Sequence, residues 1–355
     1  MRRYIYTGLM SALLLGWGCI MACCASSDDS DDRNDGQTLR IGSVTRTGEE
    51  EPESLDPNPL PWGDITLFMC PNDGTYPVSQ DQSGTISYNG LDDGGDIIWN
   101  TSPLVVKPGR DYYIFGYMPA GIGSNNSVTV NSATTATMTF SNLPTMTDQD
   151  ICVIVGVKEG KTQLGISDQG SFAYHAPENT SDGYYVSLLA DHLYASVEFR
   201  VTIADDYNVL RKVVLKKMTL KCLNAGKTLM DTEVTLTMND QSTHPIASDP
   251  VPTMKTGGAE AYVLYTSDEG VELSTTEYQS FTSSFAEGVG ADLALECEYD
   301  LYDRVSGDNS KIETRTVVNG LSSLLKNQKR GRNKVINLMV DPTYLYQLSD
   351  GDVDK

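Results

Sequence analysis

Histidine is scarce in this chain, three among 355 residues, and lysine plus arginine number 26 against 48 aspartates and glutamates. His175, His192 and His244 form no HExxH arrangement and none lies beside a cysteine pair, so zinc-hydrolase and zinc-ribbon spacings are missing. The net charge of −22 repels phosphate backbones and anionic headgroups, which excludes nucleic acid as a partner and electrostatics as the route to a membrane. Helical periodicity is also rare. Ser322 to Lys326 and Tyr184 to His192 are the two stretches that suit a short helical turn.

Nucleophile and phosphate motifs fail on detail. Gly165-Ile166-Ser167-Asp168-Gln169-Gly170 has its second glycine one place too late for GxSxG, and Gly226-Lys227-Thr228 lacks the upstream glycine of a phosphate loop. Leu91-Asp92-Asp93-Gly94-Gly95-Asp96 suits a hairpin or loop better than an acid and nucleophile pair. It also lacks the alternating ligands and distal Glu of an EF-hand. Beyond the first 24 residues the cysteines, Cys70, Cys152, Cys222 and Cys297, are scattered singly; two disulfides are permitted, and buried free thiols fit equally. From the sequence we expect no enzyme, no cofactor and no metal.

What is present begins with the N-terminus. Arg2 and Arg3 precede an apolar stretch from Leu9 to Ala22, shorter than the roughly 20 residues of a permanent transmembrane helix, so residues 1–22 are expected to be a cleaved signal peptide. Ile20-Met21-Ala22-Cys23 resembles the lipobox of bacterial lipoproteins, which makes Cys23 the lipidation site and a triacylated anchor the membrane connection. Loss of the two arginines takes the charge from −22 to −24. Ser26-Ser27-Asp28-Asp29-Ser30-Asp31-Asp32 is too acidic and too poor in apolar residues to fold, and is expected to be a solvated tether. In lipoproteins of Gram-negative anaerobes of the gut and mouth, such a run resembles a signal for export to the outer face.

Period-two alternation runs through the remainder, as in Ile65-Leu67-Met69, Ile151-Val153-Val155-Val157, Val197-Phe199-Val201-Ile203, Val234-Leu236-Met238 and Leu293-Leu295-Cys297-Tyr299-Leu301. With Gly, Asn, Asp and Pro between segments, the pattern predicts an all-β protein of antiparallel sheets packed as sandwiches. About 333 residues after Cys23 cleavage suggest two domains. The polar loop from His175 to Gly183 places the boundary near 189, giving residues 23–46 as tether and possible pro-segment, 47–189 as one sandwich and 190–355 as the other. Trp99 and the run Tyr112-Tyr113-Ile114-Phe115-Gly116-Tyr117 suit a sandwich core better than a sugar-stacking platform.

Four elements together resemble the fimbrillin family of type V pilins and fimbrillin-like surface lipoproteins. They are the lipobox with its acidic tether, Trp99 with the aromatic strand, His192-Leu193-Tyr194-Ala195-Ser196-Val197-Glu198-Phe199, and the ending Ile336-Asn337-Leu338-Met339-Val340-Asp341-Pro342-Thr343-Tyr344-Leu345-Tyr346. The resemblance implies two transthyretin-like β-sandwich domains, lipoprotein export to the outer membrane, and often removal of an N-terminal segment by an arginine-specific protease. A strand from the next subunit then fills the groove. Arg46, followed by the polar Thr47-Gly48-Glu49-Glu50-Glu51, is the first candidate for cleavage and is expected to be exposed; Arg40 is the second. An uncut first strand is the alternative.

The strand-exchange candidates are Ile336, Leu338, Val340, Tyr344 and Tyr346, which share one phase around Pro342; residues 335–340 also suit the closing strand of the second domain. Lys326, Lys329, Arg330, Arg332 and Lys334 form a basic cluster whose Gly331 suggests a hairpin turn, with an acidic neighbouring subunit as a further partner. The expected function is a structural or adhesive pilus subunit in the outer membrane and fimbrium, assembling with other pilin subunits by strand addition. The alternative is a non-polymerising, glycan-binding or adhesin lipoprotein with a host or bacterial surface ligand.

Overall fold

Several segments are apolar at nearly every position rather than every second one. Ile65 to Cys70, Tyr112 to Met118 and Ile151 to Val157 are of this kind, and a strand can only bury such a run if both of its faces are covered. The computed structural model describes residues 36–46, 63–91, 97–224, 227–241, 244–250, 252–307, 309–341 and 344–351. Cys23, the acidic tether, Thr47 to Glu53, Asp92 to Asp96 and Pro342 lie outside the described residues, as do the side chains of 344–351.

The continuous runs lie in an eight-stranded sheet. It contains β1 (Gln37–Arg46), β2 (Ile65–Pro71), β4 (Gln82–Ile86), β7 (Val105–Val106), β8 (Asp111–Met118), β12 (Cys152–Glu159), β13 (Ala173–His175) and β14 (Tyr184–His192). The order is β4-β2-β8-β12-β14-β1-β7, with β13 on β8. Alternate side chains of its inner strands serve two separate cores. Phe68, Tyr113, Phe115, Tyr117, Val153, Val155 and Leu189 face a large one. Ile65, Leu67, Met69, Ile114, Cys152, Ile154, Val186 and Leu188 face a smaller one, closed by Leu104, Val106, Tyr174 and Ala176.

Strands that alternate strictly have one wet face. They form a five-stranded sheet of β3 (Val78–Ser79), β9 (Ser124–Ser132), β10 (Thr135–Pro144), β17 (Leu229–Thr237) and β18 (Thr253–Lys255), ordered β18-β17-β10-β9-β3. Its Met138, Phe140, Val234 and Leu236 pack into the large core, where the Phe140 and Tyr117 rings meet edge to face at 5.3 Å. Another five-stranded sheet holds β11 (Met146–Thr147), β15 (Tyr194–Ile203), β20 (Gln279–Ala286), β23 (Asn333–Asp341) and β24 (Tyr344–Gly351), ordered β11-β20-β15-β23-β24. A four-stranded sheet is ordered β19-β16-β21-β22, from β16 (Arg211–Cys222), β19 (Ala261–Glu272), β21 (Leu293–Asp303) and β22 (Lys311–Gly320). Finally, β5 (Tyr88–Leu91) pairs with β6 (Ile97–Trp99).

The protein is therefore all β with sandwich-like packing, and the described residues from Gly36 onward fall into one compact unit. β14 ends at His192 and β15 begins at Tyr194, close to the expected boundary, while β10 with β17 and β11 with β20 pair strands from either side of residue 189. The sheets are not purely antiparallel: β1 runs parallel to β14, and β23 parallel to β15. Tyr184 to His192, a candidate helical turn by sequence, is strand β14, because Tyr184, Val186 and Leu188 line one core and Leu189 the other. The stretch near Ser322 does form a helical turn, α2 (Ser322–Leu325), and α1 (Asp205–Leu210) follows β15.

Candidate functional site

The first strand carries both candidate cleavage arginines, Arg40 and Arg46. β1 lies parallel to β14 from Leu39 opposite Tyr184 to Arg46 opposite Ala190, with one register shift between Ile41 and Ser43. On its other side, among the described residues, Gln37 and Thr38 pair in register with β7, and the Leu39 N–H donates to the Leu104 carbonyl oxygen at 2.9 Å. The shift sits at Gly42, where a Cβ would come within 2.2 Å of the Gly160 carbonyl oxygen; only glycine fits this approach to the loop after β12. Ser43 Oγ donates to the carbonyl oxygen of Thr162 at 3.0 Å, tying the strand to that loop.

Beside β1 in the sheet, the β14 residues opposite its core-facing positions are Tyr184, Val186, Leu188 and Ala190, all buried in the smaller core. Leu39 is fully buried there, and Ile41 and Val44 pack against it partly buried. Seating Leu39 contributes about 1.5–3 kcal/mol and the other two less each. β1 thus flanks an apolar row of β14, held mainly by main-chain pairing and one deeply inserted side chain.

Of the two candidate cleavage arginines, Arg46, expected to be exposed, is the more buried. Arg40 is exposed, donating to the Tyr185 hydroxyl at 3.3 Å with its guanidinium 5.8 Å from that ring's centre. Arg46 is only 13% exposed, because its Nη1 donates to Asp150 Oδ2 at 2.9 Å, and Asp150 is 8% exposed. The acidic run after Arg46 suggested solvent, but the phase of the strand after the Gly42 bulge turns its side chain inward toward Asp150. Asp150 Oδ1 in turn accepts from His192 Nδ1 at 2.9 Å, beside Cys152. Burial alone would raise the Asp150 carboxyl; its bonds to His192 and Arg46 hold it below the usual carboxylate range. Burial opposes charge on His192 as well, and the Cys152 sulfur and Asp150 carboxylate hold it well above 6.5.

Cysteine, histidine and aspartate side by side resemble a nucleophile and its base, but this geometry does not relay a proton. Asp150 and Cys152 both meet the same ring atom, Nδ1, at 2.9 and 3.7 Å. A triad needs opposite nitrogens. Burial also pushes the Cys152 thiol up to about 11, and those of Cys70 and Cys297 to about 12. All four described cysteines are free and buried.

The C-terminal candidates separate. Ile336, Leu338 and Val340 are buried in the large core on β23, which lies between β15 and β24. Tyr344 and Tyr346 belong to β24, which pairs antiparallel with β23 and is the last strand of its sheet. The basic cluster turns at Gly331, with φ of +70°, directly before β23, and the charges of Lys329 and Arg330 are engaged within the chain. Lys329 reaches Asp249 at 3.0 Å and Glu287 at 2.5 Å. Arg330 meets the buried Asp191 at 2.9 Å, which also accepts from His244 Nε2 at 2.9 Å. The aromatic run is core: Tyr112, Tyr113, Phe115 and Tyr117 are all buried, and Trp99 packs against the smaller core. A cleft of about 280 Å³ at the far end of β21 is lined by Tyr207, Arg211, Leu301, Ile312 and Arg315. Its arginines pair with Asp303 and Glu313.

No family model matches the chain, and no curated protein matches it by sequence. Among solved structures, the chain is similar to a "putative cell adhesion protein" from Bacteroides uniformis ATCC 8492 (8% identity, TM-score 0.42, covering 90% of this chain and 97% of that one). It is also similar to a fimbrial protein from Bacteroides vulgatus ATCC 8482 (11% identity, TM-score 0.41, covering 87% and 98%).

Proposed function

We propose that this chain is a surface-anchored structural or adhesive subunit whose first strand is a removable occupant of its own sheet. Cys23 carries the lipid and the acidic tether holds the body away from the outer membrane. Proteolysis after Arg46 releases β1, and a strand from another subunit takes its place on β14. The observation that carries this reading is the seating of β1: paired along β14 over the row Tyr184, Val186, Leu188 and Ala190, with two residues in register on its other side. An unpaired β14 edge is a template for strand addition, in which main-chain hydrogen bonds supply generic affinity and alternate side chains supply register. β24 is the donor candidate. It is the terminal strand of its sheet, paired with β23 from Tyr344 to Gly351.

The competing glycan-binding reading is weakened by the burial of the aromatic run that would serve as its platform. The test is intact mass and N-terminal sequencing of the protein shed from its native host, together with an unboiled gel. A new N-terminus at Thr47 and a high-mass ladder are expected. A single lipidated species beginning at Cys23 with no ladder rejects the processed-subunit reading.

A further inference from the structure

One end of the β12–β14 pair brings together three side chains of three different ligand types. Cys152 and His192 are direct cross-strand partners, and Asp150 lies two residues before Cys152, just ahead of β12. One oxygen of Asp150, Sγ of Cys152 and a ring nitrogen of His192 lie within 4.8 Å of one another. Among the described residues, His192 Nδ1 meets Asp150 Oδ1 at 2.9 Å and Cys152 Sγ at 3.7 Å, and it carries at most one proton. The carboxylate, which can only accept, takes that proton, so the nearby sulfur is not its recipient.

We propose that Asp150, Cys152 and His192 form a binding site for a single zinc-class divalent ion. An ion replacing the Nδ1 proton would engage all three ligands together. Metal–ligand lengths of about 2.0–2.3 Å put neighbouring ligand atoms of a tetrahedral site roughly 3.3–3.7 Å apart. The sulfur is already at that distance from the imidazole, and the carboxylate reaches it by opening roughly 0.4 Å. A nitrogen, a sulfur and one carboxylate oxygen select zinc over calcium or magnesium, which prefer all-oxygen shells. On binding, the proton on Nδ1 and the thiol proton pass to solvent, leaving a carboxylate, a thiolate and a neutral imidazole around the ion.

The surroundings fit this role. Arg46 donates to Asp150 Oδ2, the oxygen turned away from His192, and so orients Oδ1 toward the ion as an outer-shell partner does. His192, 24% exposed, gives solvent access and room for a water as fourth ligand, while Cys152 is fully buried. Sequence spacing offers no sign of the site, since a D-x-C segment and a histidine 40 residues later match no metal motif. Strand register creates it. No ligand comes from β1, so removal of that strand takes away Arg46 as an outer-shell partner and leaves all three ligands in place.

The test is a cobalt titration of the full-length protein after chelator treatment, followed by absorbance. The expected result is a thiolate-to-cobalt charge-transfer band that saturates at one ion per chain and is displaced by zinc. Cys152→Ser should abolish the band, and Cys70→Ser, a buried cysteine elsewhere, should keep it. His192→Gln and Asp150→Asn should each weaken binding at least about tenfold, the smallest loss usual for disturbing even an outer-shell partner. Circular dichroism confirms that each variant folds, and a zinc-dependent rise in melting temperature in the parent chain, absent from Cys152→Ser, gives a second readout. No saturable band, or a band that survives Cys152→Ser, overturns the proposal, as does cobalt binding without a thiolate band, which marks surface carboxylates alone.

Discussion

The first strand and the last core strand enter the fold in the same way and are held very differently. β1 runs parallel to β14, and β23 runs parallel to β15, the very next strand of the chain. Yet β23 is interior, with β15 on one side and β24 on the other, and it buries Val335, Ile336, Leu338 and Val340. Among the described residues, β1 buries Leu39 alone, and its outer side pairs in register at Gln37 and Thr38, with one further bond from the Leu39 N–H to the Leu104 carbonyl. The comparison teaches which strand can leave. A segment that contributes one core side chain and one line of main-chain bonds can detach without dissolving the body, whereas removing β23 would open the large core.

The sharpest way to break this comparison is the same substitution in both strands. Leu338→Ala should cost about 2–5 kcal/mol of global stability in denaturant unfolding, because the large core cannot collapse around the cavity. A loss below about 1 kcal/mol would mean that β23 is not the interior strand described here. Leu39→Ala removes an equally buried side chain, but its global cost is capped by the free energy of detaching β1. Hydrogen exchange should accelerate at residues 39–46 and stay unchanged at 335–340; equal acceleration of both segments would show a single cooperative unit and contradict the account.

The ion pair at the end of β1 predicts an intermediate effect. A protease must take the Arg46 side chain into its own pocket, which requires breaking the bond to Asp150. A charge-assisted bond is worth about 1.5–3 kcal/mol, so Asp150→Asn should speed cleavage after Arg46 by an arginine-specific protease roughly tenfold or more. Cleavage after the exposed Arg40 should not change. If both sites respond alike, Asp150 protects the strand as a whole rather than Arg46.

The smallest effect concerns the β15–β23 side. Burial alone would raise Glu198, but bonds from Arg200 at 2.7 Å and Ser280 at 2.7 Å hold its carboxyl below the ordinary value. A depressed folded pKa stabilises the protein above the unfolded value, and this contribution is lost as pH falls through the folded one. Glu198→Gln should therefore flatten the loss of denaturation midpoint between about pH 5 and about pH 3, leaving exchange at β1 unaltered. An unchanged acid slope would remove Glu198 from the acid response.

The all-β class and the identity of most strands were legible in the period-two pattern. The aromatic core was legible too, because Tyr112 to Met118 has no polar residue for a wet face. Three things were not. The two parallel pairs join residues far apart in sequence, and periodicity does not encode which strand lies next to which. The burial of Arg46 depends on the Gly42 bulge and on Asp150, about a hundred residues away. The union of Asp150, Cys152 and His192 likewise follows from register and not from spacing. A bulge-compatible glycine in a strand ending in arginine was the one local sign that β1 departs from regular pairing.

The most direct test of the removable strand uses a chain beginning at Thr47, mixed with a synthetic peptide of residues 37–46. Binding is read by calorimetry and by native mass. The account predicts a folded body that captures one peptide per chain, more weakly when Leu39 of the peptide is replaced by Asp, and that forms a ladder with itself when peptide is absent and β24 intact. A folded body that ignores the peptide and stays monomeric would contradict it.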